Sequence, residues 1–436
     1  MPKKEYDWSR GPAEFGPHSL AKHTILRDYI ERYILILTRG GTLPNLRVTL
    51  VDGFAGGGEY FLEGERGKIR EGSPLILINA VRAATARINK DREKPIDVNA
   101  DFVFVEKNDS AFRHLQKTLA KNFDKDFIDK KVRCIHGPFE THVWDIVEKI
   151  KSSPGRKSRP IFVLDQYGYS DVPIDMMARI MREFEHPEIF LTLAVEHISA
   201  YSGSVRKALS RARSSLHIDP HVDDLLQGRK EIDEIRELPE EDRSRIMLQV
   251  QQLLRQAFAT QAGARYYTPF FITSRSSNRS YWFLHLANSA KANDVVKDLH
   301  WETANHFQHY GRPGTEMLTL GFDPAIRENQ MIFDFGDSAR DRTVNALIEE
   351  LPKLIRSNYP NGISLKDLYE VVCSDTPASK SILGTSANIL CAVGEFVKAG
   401  ANGEEREAST ALKDDDIVRP AQQVRLFSIP DLRKRR

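Results

Sequence analysis

Apolar residues recur at helical spacing from Ser19 to about Arg39, at Leu20, Ile25, Leu26, Tyr29, Ile30, Tyr33, Ile34 and Leu37, and Gly40-Gly41 ends the run. The period then changes. Leu46-Arg47-Val48-Thr49-Leu50-Val51 is a β-branched apolar run, the pattern of a parallel strand buried on both faces. It breaks off in Asp52-Gly53-Phe54-Ala55-Gly56-Gly57-Gly58, an acid followed by glycines. Further strands are predicted at Ala100–Glu106, Val132–His136, Pro160–Asp165 and Ile189–Val195. Helices are predicted between them from Ser73, read as an N-cap with Pro74 at the first helical position, to about Asn89, and over 108–122, 139–151 and Ile174–Phe184. Such alternation predicts an α/β fold with a mostly parallel, doubly wound sheet. Tyr266–Ser274 and Ser280–Ala287 are β-rich runs flanking a polar turn, a closing antiparallel hairpin, and a helix over Ala290–His309 follows.

Other stretches break the alternation. Residues 1–18 are polar with Gly and Pro and read as an arm, and Glu59–Arg70 reads as a mobile loop. Residues of about 200–262 form a charged helical insertion, and 311–337 read as connection. From Ser338 the pattern predicts helices at 340–357, 364–373 and 380–399 and a strand at Val424–Ser428, a small winged-helix-like module. The expected division is an arm at 1–18, an α/β domain at 19–337 and the module at 338–436.

At 436 residues, with 41% hydrophobic and 28% charged, the chain has material for two or three folded domains. A net charge of +2 supplies no global field toward nucleic acid, so any basic surface must be local. Cys134, Cys373 and Cys391 lie far apart with no metal-ligand spacing and read as reduced thiols. No acid or cysteine completes a site around His300, His306 and His309, so no metal is expected. The absence of a signal-like or long apolar segment predicts a cytoplasmic protein with no membrane contact.

The chemistry gathers at the strand ends. A glycine loop at the carboxyl edge of a parallel sheet lets the backbone approach a nucleotide without an intervening Cβ. The spacing is neither the dinucleotide fingerprint nor a P-loop. It fits an S-adenosylmethionine (SAM) loop, with Gly56 and Gly58 under the methionine moiety, Phe54 within the loop, and Asp52 holding the loop or the amino group. Glu106 ends the second long strand, where an acid accepts both ribose hydroxyls; an exposed strand-end acid is the plainer alternative. Lys22 and His23 either face the cofactor carboxylate or are simply solvated. Pro138 stands where an adenine-side acid is sought, leaving His136 and Glu140 as weak candidates.

The fourth strand ends in Asp165-Gln166-Tyr167. Methylating an exocyclic amine needs in-line placement and acceptors for its hydrogens, which a carboxylate and a backbone carbonyl supply, while an aromatic ring stacks on the base. Asp165 and Tyr167 have these chemical types; alternatively Asp165 caps the turn. Arg206, Lys207, Arg211 and Arg213 either contact a phosphate backbone or form a solvated helix face.

With these residues located, the chain resembles the three-Cys-motif partner protein (TcmP) family. The likeness rests on Lys22-His23-Thr24-Ile25-Leu26, Val51-Asp52-Gly53-Phe54-Ala55-Gly56, Gly72-Ser73-Pro74-Leu75 and Leu164-Asp165-Gln166-Tyr167-Gly168, and spans roughly residues 20–320. It implies a Rossmann-like class I SAM-dependent methyltransferase core in bacteria, and a three-Cys-motif protein as partner. The fourth-strand motif of that family is usually Asp-Pro-aromatic-Gly; Gln166 replaces the proline and its rigid turn. Two functions therefore stand as expectations. One is a SAM-dependent methyltransferase acting on an amino group of a nucleic-acid base. The other is a non-catalytic or regulatory subunit on that scaffold. A two-metal hydrolase lacks the clustered carboxylates it would need.

Overall fold

The computed structural model describes residues 8, 11–39, 45–62, 65–153, 158–166, 171–193, 214, 216–217, 254–273, 280–303, 314–315 and 336–421. The chain divides into two compact units, residues 1–300 with 305–308, and residues 301–304 with 309–436.

The first unit opens with β1 (Ala13–Phe15) and α1 (Pro17–Thr38). After β2 (Asn45–Asp52) come the short strands β3 (Glu59–Leu62) and β4 (Glu65–Glu71), then α2 (Ser73–Asn89) and β5 (Asp97–Glu106). Next are α3 (Asp109–Asn122), α4 (Lys125–Lys131), β6 (Val132–His136), α5 (Phe139–Ser152), β7 (Arg159–Leu164) and α6 (Ile174–Glu183). The unit closes with β8 (Glu188–Leu193), β9 (Tyr266–Thr273), β10 (Ser280–Ala287) and α7 (Ala290–Thr303) as far as His300.

Seven strands form one sheet in the order β6-β5-β2-β7-β8-β10-β9. All neighbours are parallel up to β8, and β10 runs antiparallel to both β8 and β9. This order, with one reversed strand inserted beside the last, is that of a Rossmann-like class I methyltransferase sheet. The chain steps from β2 outward to β6, then returns to β7, so the topological switch lies between β2 and β7. Leu50, Phe162, Leu164 and Leu191 are fully buried, as the unbroken apolar runs require of strands covered on both faces.

Two segments depart from the pattern expected of them. The arm contributes β1, α1 begins two residues early at Pro17, and Trp8 is buried. The expected loop after the glycines is instead β3 and β4, which join β1 in a separate three-stranded sheet. Its polar, glycine-bearing sequence lacks the apolar alternation that announces a strand, because the sheet buries little of β4. Smaller differences follow local chemistry. Gly72, not Ser73, is the extended residue before α2, and α4 is an additional helical turn before β6.

A polar cluster is buried beneath α1. Glu188 accepts a hydrogen bond from the Tyr29 hydroxyl and lies 2.9 Å from His285 Nε2, with all three side chains buried. Burial, then the Glu188 charge, pushes the Tyr29 hydroxyl well above its ordinary range, so it stays a donor. Glu188→Ala is expected to lower the free energy of unfolding by about 3 kcal/mol, since it orphans two buried partners. Urea denaturation checks this through a lower midpoint with unchanged slope, and Glu188→Gln, which keeps an acceptor, should lose less.

The second unit holds α8 (Asp337–Asn358), β11 (Ile363–Ser364), α9 (Leu365–Val372), α10 (Lys380–Ala392), β12 (Phe396–Ala399) and β13 (Ile417–Pro420). Its strands form an antiparallel sheet in the order β11-β13-β12. Ser364 caps α9, its hydroxyl accepting from the Asp367 amide at 3.0 Å. The helix expected over 380–399 ends at Ala392, since Gly394 turns through a φ of 78° into β12. The wing strand lies at Ile417–Pro420, and Val424–Ser428 fall outside the described residues. Buried Lys398 ties down the wing by donating to the carbonyls of Ala408 and Thr410. Around it Lys380 pairs with Asp414 and Arg419 with Glu405, both at 2.6 Å, and Arg406 pairs with Asp416.

Candidate functional site

Three acids stand along the carboxyl edge of the sheet. Asp52 ends β2, Glu106 ends β5, and Asp165 follows the last residue of β7. Because β2 lies between β5 and β7, the glycine loop is stitched to both neighbours: the Gly53 amide donates to the Val163 carbonyl and the Ala55 amide to the Val105 carbonyl, each at 2.9 Å.

Glu106 closes over this loop. Its Oε2 accepts from the Gly56 amide and its Oε1 from the Asn108 amide, each at 2.7 Å. Gly56 turns at a φ of 60°, a conformation that favours glycine. Asn108 in turn caps α3, its Oδ1 accepting from the Ala111 amide at 3.0 Å. Burial raises the Glu106 carboxyl above its usual range, and the amides of Asn108 and Gly56 draw it back. The Lys107 amide draws on it as well, and the carboxylate keeps lone-pair capacity for an outside donor.

Asp52 is fully buried. Its Oδ1 accepts from the Phe54 amide at 3.1 Å, the Ser73 hydroxyl also draws on the carboxyl, and no backbone amide reaches its buried Oδ2. Burial pushes its pKa up to about 7, against the pull of the Ser73 hydroxyl and the Phe54 amide. The charges of Asp165 and Glu106 raise it further, so the three acids share one field. A buried carboxyl in such a field either holds a proton or pairs with a cation.

Asp165 has its cation already. Lys22, reaching from α1, donates to Oδ1 at 2.6 Å and to Oδ2 at 2.7 Å. Burial acts to raise the Asp165 carboxyl, but the Lys22 ammonium outweighs it and holds the group below its ordinary range, with smaller help from Thr192 and His23. Lys22 thus serves this carboxylate in the structure rather than standing as a free cation for a cofactor carboxylate. His23 is buried, its ring 5.6 Å from that of Phe15.

The structure gives Gln166 a specific job. Buried at 3% exposure, it accepts on Oε1 from the amides of Asp171 at 3.0 Å and Val172 at 3.2 Å. The side chain thereby pins the far end of the loop that it begins, replacing the restraint a proline would impose from within. Its Nε2 has no hydrogen-bond partner among the described residues. Tyr167 and the basic set Arg206, Lys207, Arg211 and Arg213 lie outside the described residues.

At the end of β6, the Gly137 amide donates to the Glu106 carbonyl at 3.0 Å and so brings the β6 end to the acid. His136 is exposed and stacks on Phe112 at 4.9 Å; Glu140 is exposed. Phe54 is half-buried, its ring 6.1 Å from Phe139. Asn108, Ser73 and Thr192 support these groups, and the sequence pattern marks neither Asn108 nor Thr192. Only Ser73 carried a local signal, in Gly72-Ser73-Pro74. Among the described residues no three of His, Cys, Asp and Glu gather as a metal would require. No helix among them is long and apolar enough to cross a membrane.

A family model described as a GMT-like wHTH domain matches residues 321–395. The C-terminal unit carries a winged helix-turn-helix domain. No curated protein sequence matches the chain. Among solved structures, the chain is similar to a Legionella pneumophila protein at 11% identity and a TM-score of 0.32, over 63% of this chain and 90% of that one. Trm1 from Pyrococcus horikoshii, solved with S-adenosyl-L-methionine, is similar at 11% identity and a TM-score of 0.29, over 67% of this chain and 60% of that one. The human methyltransferase 10 domain containing protein follows at 11% identity and 0.26, over 61% and 83%. Likenesses this remote carry no argument about activity, and the fold is identified by its strand order.

Proposed function

We propose that this chain is a SAM-dependent methyltransferase whose acceptor is an amino nitrogen of a nucleic-acid base. The observation that carries the cofactor assignment is the fully buried Asp52 carboxyl at the end of β2, next to Glu106 at the end of β5, with an Oδ2 that no backbone amide satisfies. The residues fit an S-adenosyl group: Asp52 would take its ammonium and Glu106 its ribose hydroxyls, while the side the glycines leave open is filled by Trp8, Tyr60, Leu115 and Thr118 and not by the methionine moiety. When bound, the cofactor supplies an electrophilic methyl group. Asp165, kept anionic by Lys22, would hold the hydrogens of the incoming amine and aim its lone pair. Tyr167 would stack on the base, and Arg206, Lys207, Arg211 and Arg213 would meet phosphates.

The assigned role of Asp52 has a pH signature. Its pKa is raised from 3.8 to about 7, so the folded chain without cofactor holds a proton that the unfolded chain has lost. That group therefore takes stability away as pH rises from about 4 to about 7, and Asp52→Asn should flatten this dependence. An ammonium ligand favours the charged carboxylate, so cofactor binding at pH 6 is expected to release close to one proton. Calorimetric titrations in buffers of different ionisation enthalpy measure that release, and Asp52→Asn should abolish it.

The transfer itself is tested by offering tRNA, rRNA and DNA with methyl-labelled SAM. Alkali-stable label recovered in a methylated base supports the proposal. Label in none of them, with or without a three-Cys-motif partner, contradicts it. The pairing of both Asp165 oxygens with Lys22 favours one second reading, a regulatory subunit that binds cofactor and partner without transferring the methyl group. The TcmP resemblance supports this partner.

A further inference from the structure

Trp8 packs onto the glycine loop itself. A Cβ added at Gly57 would lie 2.2 Å from Trp8 Cζ3 and 2.4 Å from its Cε3, so the indole leaves this position room only for a hydrogen. A Cβ added at Gly56 would lie 2.0 Å from the Tyr60 hydroxyl and 3.7 Å from Trp8 Cζ2. Tyr60 is the β3 residue paired with Ala13 of β1, which fixes the strand that follows Trp8. The indole meets Tyr60 edge-on at 4.9 Å and the His114 ring of α3 at 5.2 Å. His114 Nε2 lies 3.4 Å from Glu59, the buried residue that follows the loop. From α3, Leu115 and Thr118 crowd Gly58.

The glycines are therefore held from outside by Trp8, Tyr60 and α3, while the Gly56 amide is donated inward to Glu106. Three consecutive glycines have more backbone freedom to lose than any other sequence, and a ligand that must order them itself binds more weakly. A buried indole is the largest apolar body available to suppress that freedom.

We propose that Trp8 is a cofactor-positioning residue: its indole completes the adenosyl site by fixing the glycine loop and, through Gly56, the Glu106 carboxylate. This rests on reading the site as an S-adenosyl pocket.

The test is calorimetric titration of the full chain with S-adenosylhomocysteine in wild type, Trp8→Ala and Trp8→Phe, with melting temperatures recorded beside each Kd. Trp8→Ala is expected to raise Kd about tenfold or more, and Trp8→Phe to recover most of the affinity by restoring an aromatic face. Equal Kd for wild type and Trp8→Ala overturns the assignment. So does a loss of affinity matched by equal loss for a destabilised variant remote from the loop, such as Glu188→Gln. Absence of binding by the wild type defeats the pocket reading itself and this assignment with it. If Trp8→Ala does not fold, fluorescence decides. The ligand should change wild-type emission and leave Trp8→Phe, with three of the four tryptophans, unchanged; an identical response in the two overturns the proposal.

Discussion

Glu106→Ala is expected to weaken S-adenosylhomocysteine binding by roughly 100-fold. Hydrogen bonds to a charged acceptor are worth about 1.5–3 kcal/mol each, and two ribose hydroxyls would lose theirs. About 2.7 kcal/mol corresponds to that 100-fold change. The substitution also releases the amides of Gly56 and Asn108, so the loop and the first turn of α3 lose a shared anchor. Glu106→Gln separates these effects. Its one carbonyl oxygen still accepts, so affinity should fall less, while the charge disappears altogether. Titration calorimetry of both variants measures the ratio. Retention of wild-type affinity by Glu106→Ala would remove Glu106 from the cofactor site.

Asp165→Asn is expected to cut methyl transfer by about 100-fold or more while leaving S-adenosylhomocysteine affinity nearly unchanged, since misaligned reactants lose rate on that scale. Asparagine is the informative substitution. Alanine would leave the buried Lys22 ammonium without its carboxylate, a destabilising loss that the 34% exposure of Asp165 only partly relieves. Asparagine keeps an oxygen toward Lys22, so the fold survives and the loss reports on the acceptor. Lys22→Met combined with Asp165→Asn removes the pair together and should restore stability without restoring transfer. Equal loss of cofactor affinity and transfer in Asp165→Asn would reassign Asp165 to the cofactor.

Much of the sheet was legible because its strands are buried on both faces and read as unbroken apolar runs. Leu46–Asp52, Phe102–Glu106 and Ile161–Leu164 each combine such a run with an abrupt polar end, which marks both the strand and its functional edge. The hairpin of β9 and β10 was legible from its paired aromatic runs. The small sheet of β1, β3 and β4 was not, since its partners are three and four residues long or heavily charged. Trp8 stands alone in a polar segment, and nothing local tells that its ring will meet Gly57. Lys22 and Asp165 are 143 residues apart, and a helix-to-strand pair carries no periodic signal. Gln166 read as a lost proline; only the coordinates show its side chain taking over the restraint from outside the backbone. Helix ends in the winged unit slipped where glycine, as at Gly394, turned the chain sooner than apolar spacing implied.

Isothermal titration of the full chain with S-adenosylhomocysteine at pH 7.5 decides whether Asp52 and Glu106 flank an adenosyl-binding pocket. One site per chain with micromolar or tighter affinity, abolished by Glu106→Ala, is the predicted result. No heat and no rise in melting temperature at millimolar ligand, with the three-Cys-motif partner and nucleic acid present as well as without them, would contradict it.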